Sequence, residues 1–269
     1  MLSYALPLFP FLFEWVERKI KAKIQRRVGP PLLQPVYDFI KLLSKETIIP
    51  ETTNFLFALP PLLIFLIDSV AIFIAYLKPP FALLILLALF ATELLMKALL
   101  ARMAKSPFTI YGAGRIGAMK MALEPAFPLS FLAPAFIFNF ELNWPSAAVL
   151  FLPLAFLASM AELELPPFDL PTAESEIATG WKAELSGKLL AFVNYAEDAK
   201  KFTISLMLAS MLGPGLLIFK SLLIFSIMVA LSYSLPRFHI DRVMRFLALV
   251  NILSLAEVIG CLSWVYLHA

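Results

Sequence analysis

Apolar stretches long enough to cross a lipid bilayer follow one another along almost the whole of this 269-residue sequence. An α-helix rises about 1.5 Å per residue, so about 20 apolar residues span the hydrocarbon core. Seven such stretches cover residues 54–77, 81–101, 117–138, 145–163, 189–212, 215–235 and 244–267. Residues 1–16 form a shorter candidate span, which Glu14 and Trp15 would complete at the interface. We therefore predict an all-α integral membrane protein with a bundle of about eight transmembrane helices.

The composition agrees with a membrane domain. Hydrophobic residues make up 61% of the chain and charged residues 15%, whereas soluble domains are about 45–50% apolar. The long apolar runs lack the period-two alternation that is typical of β-strands. The sequence shows no linker and no internal repeat of the kind that a stand-alone secondary transporter would have. We expect residues 1–269 to form a single membrane domain.

Lysine and arginine residues occur mainly in alternate loops between the predicted spans. The odd-numbered loops, which carry most of them, cover about 17–53, 102–116, 164–188 and 236–243. The even-numbered loops hold almost none, and Lys78 and Lys220 are the nearby exceptions. Because loops rich in Lys and Arg stay in the cytoplasm, we predict a multi-pass protein of the cytoplasmic membrane. Its main charged loops would be cytoplasmic and both termini would lie outside.

The first charged loop contains a short amphipathic stretch from Pro35 to Lys45. Apolar side chains fall on one helical face, and the charged side chains Asp38, Lys41 and Lys45 lie away from the centre of that face. We predict a helix here. It would either lie in the membrane interface or pack on a partner as an ordinary loop helix, and the sequence leaves both interpretations open.

Several charged residues fall within the predicted spans, where a charge at the centre costs at least about 2.5–3.5 kcal/mol. Glu93 and Lys97 are four residues apart, so they share a helical face and can pair. Lys120 and Glu124 repeat this spacing in a later span. Two hypotheses have equal weight: the pairs merely reduce the cost of insertion, or they belong to a relay for protons or cations.

Carboxylates are concentrated between residues 162 and 184. The six are Glu162, Glu164, Asp169, Glu174, Glu176 and Glu184. Like charges raise one another's pKa, so such a cluster is suited to exchanging protons near neutrality. A solvated acidic loop that docks a basic partner also explains the cluster, and spacing alone favours this second explanation.

The sequence offers little for a redox cofactor or a nucleotide. Cys261 is the only cysteine, and His239 and His268 are the only histidines, so we expect no iron–sulfur cluster, haem or metal site in this chain alone. The string GAGRIG at 112–117 follows no strand and leads into a membrane helix, so it is not a nucleotide signature. We also expect no catalytic residue and no nucleic-acid partner.

Five segments resemble a known family. They are ERK from Glu17, RRVGPPLLQPVYDFIKLLSKE from Arg26, SPFTIYGAGRIGAMKMALEP from Ser106, PFDLPTAESEIATGWKAELSG from Pro167 and PRFHID from Pro236. These segments resemble the NuoH-type membrane subunit of NADH-quinone oxidoreductase, the complex I family. They are more similar to the corresponding membrane subunit of energy-converting, membrane-bound NiFe hydrogenases and formate hydrogenlyases.

The resemblance implies an eight-helix subunit that docks a peripheral electron-transfer arm against an ion-translocating membrane arm. In quinone-reducing members this subunit forms a quinone tunnel and a carboxylate-lined path into the membrane. Matched by motif, the path residues of this chain are Glu124, Glu162, Asp169, Glu174, Glu176, Glu184 and Glu197. The resemblance implies that Arg26 and Arg27, and also Arg237 and Asp241 in the last charged loop, face the peripheral subunits.

Departures from the quinone-reducing pattern favour the hydrogenase branch. Quinone enzymes have extra residues where this chain has GPPLLQP, Thr172 replaces a usual acidic residue, and Ser232 and His239 stand at positions that are often arginine. The resemblance thus implies the anchor and coupling subunit of a ferredoxin-linked, hydrogen-evolving, ion-translocating complex. A quinone-reducing complex and a sulfur-reducing relative are the alternatives.

The redox cofactors are expected in partner chains. By resemblance, the NiFe centre and the iron–sulfur clusters would belong to hydrophilic large and small subunits and to an iron–sulfur subunit. Antiporter-like membrane subunits, embedded in the same lipid bilayer, would continue the membrane arm.

Overall fold

A computed structural model describes residues 2–49, 55–104, 106–123, 125–138, 140–169, 180–236 and 240–268. These residues form helices and turns, and no β-strand occurs among them. Ten helices of the described chain follow in order: α1 (Phe9–Ile24), α2 (Gln34–Ser44), α3 (Leu59–Leu77), α4 (Ala82–Ala104), α5 (Pro107–Leu123), α6 (Ala126–Ile137), α7 (Leu152–Glu162), α8 (Gly187–Ser210), α9 (Leu217–Ser234) and α10 (Ile240–His268). Short helical turns precede α1, α3 and α7.

The predicted all-α membrane fold is confirmed. Each of the eight predicted spans coincides with helical structure in the described residues. Four segments are long and apolar enough, by length and composition, to cross a membrane: Leu56–Leu77, Ala82–Ala104, Leu217–Ser234 and Asp241–Leu267. Two shorter apolar helices cover Ala126–Ile137 and Ser146–Glu162.

The boundaries around α5 differ from the prediction. The predicted loop 102–116 contains helical structure, because α4 continues to Ala104 and α5 begins at Pro107. Hydropathy marks only the apolar part of a helix, whereas the backbone hydrogen bonds continue through its charged ends. The predicted span 117–138 is two helices, and Pro125 lies in a turn between them. Proline has no N–H to donate and clashes with the preceding helical turn.

Prolines lie both at the beginning of a helix and inside one. Pro60 and Pro61 occupy the first turn of α3. The N–H groups of a first turn have no partner within the helix, so proline is tolerated there. Pro134, in contrast, lies inside α6.

The predicted amphipathic helix is present as α2, and it packs against α1 and α8. The Phe39 ring lies 5.5 Å from the ring of Phe11 and 5.8 Å from that of Tyr195, measured between centroids. Asp38 was expected away from the packed face, but Oδ2 of its carboxylate accepts a hydrogen bond from Arg18 of α1. The outer face still exposes Tyr37 and Ile40, so the membrane interface and a partner remain the two interpretations for that face.

Helix α8 is the centre of the bundle. Its 24 residues make it roughly 36 Å long, and it contacts α1, α2, α3, α7 and α9. Most of its side chains are buried, including Phe202, whose ring lies 5.0 Å from that of Phe13. The same helix carries Asp198 and Lys200 in the interior, so its apolar packing fixes the position of charged groups.

A segment of the first charged loop holds the beginning of α8. The Ser186 hydroxyl accepts a hydrogen bond from the Ile48 N–H (2.9 Å) and donates one to the Ile48 carbonyl (3.0 Å). Gly187 has φ +51°, and a Cβ there would lie only 2.5 Å from the carbonyl oxygen of Glu46. Gly187 therefore permits both the left-handed turn and the close approach of the loop.

We expect Gly187→Ala to destabilise the protein because alanine adds both backbone strain and a clash with Glu46. The matched control is Gly215→Ala, since Gly215 has φ +88° but open space around it. Strain alone costs about 1–2 kcal/mol, so Gly187→Ala should cost more than its control. Equilibrium unfolding in detergent micelles measures both variants, and equal losses would show that the contact with the loop is unimportant.

Candidate functional site

Buried charged side chains collect around two consecutive lysines of α8, Lys200 and Lys201. We call the group around Lys200 the inner cluster; it comprises Glu93, Lys97, Lys120, Glu162, Glu164 and Lys200. The group around Lys201 is the outer cluster; it comprises Glu14, Glu17, Arg18, Asp38, Asp198 and Lys201. Consecutive residues of a helix project about 100° apart, so the two clusters lie on neighbouring sides of α8.

Lys200 bridges two carboxylates in the inner cluster. Its Nζ atom lies 2.6 Å from Oε2 of Glu93 on α4 and 2.7 Å from Oε1 of Glu162 at the end of α7. The three side chains are at most 9% exposed. Helices α4, α7 and α8 therefore meet at the Lys200 ammonium, which pairs with one carboxylate from α4 and one from α7.

Two further lysines complete the inner cluster. Lys97 lies 2.7 Å from Oε1 of Glu93 and 3.9 Å from Oε1 of Glu164. Lys120 of α5 lies 2.6 Å from Oε1 of Glu162 and donates a 2.9 Å hydrogen bond to its backbone carbonyl. That carbonyl is at the end of α7, where the helix leaves it without an intrahelical partner. Each carboxylate of the inner pair thus contacts two lysines.

Lysines and carboxylates alternate in the inner cluster, and this alternation makes it possible to bury the charged side chains. Removing one ion from water costs several kcal/mol, and only close, well-formed pairs offset that cost. Positive Lys97, Lys120 and Lys200 lie between the carboxylates. Loss of any one member would leave a buried charge with too few partners.

The outer cluster links α8 to α1 and α2. Nζ of Lys201 lies 2.8 Å from Glu17, 2.9 Å from Asp198 and 3.3 Å from Glu14. Arg18 contacts Glu14 and also Asp38 of α2, the latter at 2.6 Å. Burial alone would lower the pKa of Arg18, but the neighbouring carboxylates outweigh it and raise that pKa. Arg18 therefore stays charged at any physiological pH.

A cavity of about 330 Å³ is lined by members of both clusters. Its lining residues include Glu17, Lys97, Glu162, Asp169, Glu197, Lys200 and Lys201. One water takes about 30 Å³ of liquid volume, so a space of this size has room for several waters. The charged groups that line it are therefore next to a space large enough for water.

A second cavity, of about 320 Å³, lies between α2 and α8. It shares Glu17, Lys182, Glu197 and Lys201 with the first cavity. Lys182 and Glu197 form an ion pair where the two spaces adjoin. The polar lining therefore continues from one cavity to the other past the outer cluster.

The structure brings some predicted path residues together. Glu162, Asp169 and Glu197 all line the first cavity. Glu184 is half-buried in a turn before α8. Glu124, Glu174 and Glu176 lie outside the described residues.

The predicted pairing of Glu93 with Lys97 is present. Lys120, which we paired with Glu124 by spacing, contacts Glu162. The residues predicted to dock peripheral subunits, Arg26 and Arg27, are exposed. Asp241 is also exposed, and Arg237 lies outside the described residues.

Lys200 and Lys201 fall within the predicted span 189–212, but we predicted no site role for them. The same is true of Asp68 of α3, which falls within the span 54–77. Asp68 is fully buried, and its carboxyl oxygens have no hydrogen-bond partner among the described residues. The available signal was a charge in the middle of an apolar run, which usually faces a bundle interior. In the described part of the chain, no group of His, Cys, Asp and Glu is arranged to hold a metal ion.

Comparison with known proteins places the chain in a family. The sequence profile of the NADH dehydrogenase family matches residues 1–262. The chain belongs to the NADH dehydrogenase family. The resemblance to the complex I family that its motifs indicated is thereby confirmed.

Two relatives of this family show the extent of the similarity. The chain is 32% identical to the NuoH-type subunit of NADH-quinone oxidoreductase from Dehalococcoides mccartyi, over 91% of this chain and 81% of the relative. It is 31% identical to NADH-ubiquinone oxidoreductase chain 1 of Hyaloraphidium curvatum, over 91% of this chain and 90% of the relative.

The fold is similar to that of a chain in a solved structure of the membrane-bound sulfane sulfur reductase, an archaeal respiratory membrane complex. The TM-score is 0.82, with 21% identity and 97% of both chains covered. This NADH dehydrogenase family member is therefore a multi-pass membrane subunit of a complex I-like respiratory complex.

We expect Glu93→Leu to destabilise the protein by about 3–5 kcal/mol, because Lys97 and Lys200 would each lose a buried partner. Glu46→Gln is the control, since Glu46 is an exposed carboxylate. Thermal unfolding of the purified protein measures the difference. A loss no larger than that of the control would mean that the inner cluster does not need Glu93.

Proposed function

We propose that this chain is the anchor and coupling subunit of a ferredoxin-linked, hydrogen-evolving membrane complex. In this proposal it transmits a change of charge from a peripheral redox arm to proton- or sodium-translocating membrane subunits. The observation that carries the proposal is the pair of adjoining charge clusters around Lys200 and Lys201, next to a cavity with room for water. Its role is electrostatic, and the redox chemistry belongs to partner chains.

The geometry of the inner cluster suits a switch between partners. Lys97 lies 2.7 Å from Glu93 and 3.9 Å from Glu164, so a small side-chain movement exchanges one carboxylate for the other. Lys200 is already shared between Glu93 and Glu162. A charge that arrives near the segment 164–169 would change which carboxylates Lys97 and Lys200 pair with. Every ion would keep a partner during this change.

The proposed path begins at the acidic segment and enters the bundle. Glu162, Asp169 and Glu197 stand at the first cavity. Family resemblance adds Glu124 and the acidic residues Glu174, Glu176 and Glu184. The exposed residues Arg26, Arg27 and Asp241, together with Arg237, would contact the hydrophilic subunits that carry the NiFe centre and the iron–sulfur clusters.

The lining of the second cavity favours an electron acceptor other than quinone. The rings of Phe11, Phe39 and Tyr195 contact one another, with centroids 5.4–5.8 Å apart. The cavity beside them is lined by charged groups that include Arg18 and Asp38, whereas ligand pockets for apolar molecules are mostly apolar. The GPPLLQP segment lacks the extra residues of quinone enzymes, and this also favours an acceptor other than quinone.

A sulfur-reducing complex is the second candidate function. Its support is the likeness in fold, over 97% of both chains, to a subunit of the sulfane sulfur reductase. Quinone reduction is the third, and its support is the quinone oxidoreductase relatives. Antiporter-like membrane partners fit all three.

Purification of the intact complex distinguishes these functions. We expect nickel in the complex, a partner subunit with four nickel-ligating cysteines and hydrogen production from reduced ferredoxin. A complex without nickel that reduces sulfane sulfur would replace the hydrogenase proposal by its sulfur-reducing alternative. Tightly bound quinone would support the third.

We expect Glu162→Gln to abolish ion pumping while hydrogen production with a soluble dye stays close to the wild-type level. The substitution keeps the size of the side chain but removes the charge between Lys120 and Lys200. Ferredoxin-driven uptake of protons and of sodium into inverted vesicles is the measurement, and Glu46→Gln is the control. Normal pumping by an assembled Glu162→Gln complex would refute the role given to this residue.

A further inference from the structure

An open groove lies at the end of the bundle opposite the beginning of α8, between the end of α3 and the beginning of α9. Its volume is about 820 Å³. The lining is almost wholly apolar and includes Phe9, Tyr76, Leu77, Leu216, Phe219 and Leu222. Contact with the surrounding bilayer needs only a flat apolar surface. The concave shape of this groove therefore needs a separate explanation.

Two lysines adjoin this groove. Lys78 follows the lining residue Leu77, and Lys220 follows Phe219. The Lys220 ammonium donates hydrogen bonds to three backbone carbonyls, those of Leu212 (3.1 Å), Gly213 (3.0 Å) and Pro214 (3.3 Å). These carbonyls orient the ammonium group but do not neutralise it.

The described residues provide no counter-ion for these two charges. Among the described residues, no carboxylate lies within ion-pair distance of Lys78 or Lys220. Burial and the charge of Lys220 lower the pKa of Lys78, which shows that the two lysines repel each other. An anion bound between them would remove that repulsion.

The position of these lysines has no explanation in membrane topology. They are the exceptions in the turns that the charge pattern assigns to the side poor in Lys and Arg. The backbone beside them is also unusual, since Lys78 has φ 51° and Leu216 has φ 48°. Leu216 remains 77% exposed in this left-handed conformation, which bulky residues rarely adopt.

We propose that this groove binds an anionic membrane lipid, with its phosphate between Lys78 and Lys220 and an acyl chain along the apolar lining. Basic pockets between membrane helices on the cytoplasmic side hold anionic headgroups, and in this proposal the groove does the same on the opposite side. A free phosphate would leave the apolar lining uncovered, and an apolar helix of a partner would leave the two charges unpaired. A lipid satisfies both features at once.

A cavity elsewhere in the bundle shows the contrast. The space of about 290 Å³ between α4 and α6 is also mostly apolar and reaches Lys120. There, however, Glu162 already neutralises the lysine. The groove at α3 and α9 differs from this space. Its lining is also apolar, but no described carboxylate pairs with the two lysines beside it.

The test uses the purified complex, stripped of loosely bound lipid and offered phosphatidylglycerol or phosphatidylcholine before native mass spectrometry. We expect one more phosphatidylglycerol than phosphatidylcholine to remain bound. Lys78→Gln should weaken its retention roughly fivefold, the effect of one lysine near a lipid headgroup, and Lys78→Arg should restore it. Lys188→Gln is the control because Lys188 is an exposed lysine at the other end of α8.

A second variant tests the apolar half of the site. Leu222→Trp would fill the groove and leave both lysines in place, so phosphatidylglycerol should be lost although the charge is unchanged. Inorganic phosphate at the same concentration should not compete. Equal binding of the two lipids, retention by Leu222→Trp or Lys78→Gln, or a partner helix seated in the groove would each overturn the proposal.

Discussion

A charge that is buried alone in a bilayer costs several kcal/mol, and this cost organises the bundle. The ammonium of Lys200 meets two carboxylates, and each of those meets a second lysine. Because the desolvation cost of one ion is offset only when the others are in place, the helices that carry them must assemble together. The clusters therefore fix how α1, α4, α5, α7 and α8 are arranged, while apolar packing supplies most of the contact area.

The fold could be predicted from sequence because bilayer thickness sets a length that hydropathy detects. All eight spans correspond to helical structure, and the amphipathic helix α2 is within one residue of its predicted limits. The break at Pro125 and the length of α5 could not be predicted, since hydropathy does not show where backbone hydrogen bonds stop. Spacing identified Glu93 with Lys97 because both lie on one helix.

Most of the site could not be predicted from sequence for a related physical reason. Glu93 and Lys200 are 107 residues apart in the chain, and Lys120 and Glu162 are 42 apart. Helical periodicity carries no information about such pairs, which depend on how the helices pack. The resemblance to the family suggested which acidic residues to propose for a path, but it did not indicate that lysines would lie between them.

Lys200 and Lys201 are consecutive residues of one continuous helix, and this has a mechanical consequence. A rigid helix cannot move one of them and leave the other in place, so a shift or rotation of α8 that relaxes the outer cluster must also strain or relax the inner one. The inner and outer clusters therefore move together with α8. Under the proposed coupling function, a displacement that begins at the outer cluster would reach the inner cluster through this one helix.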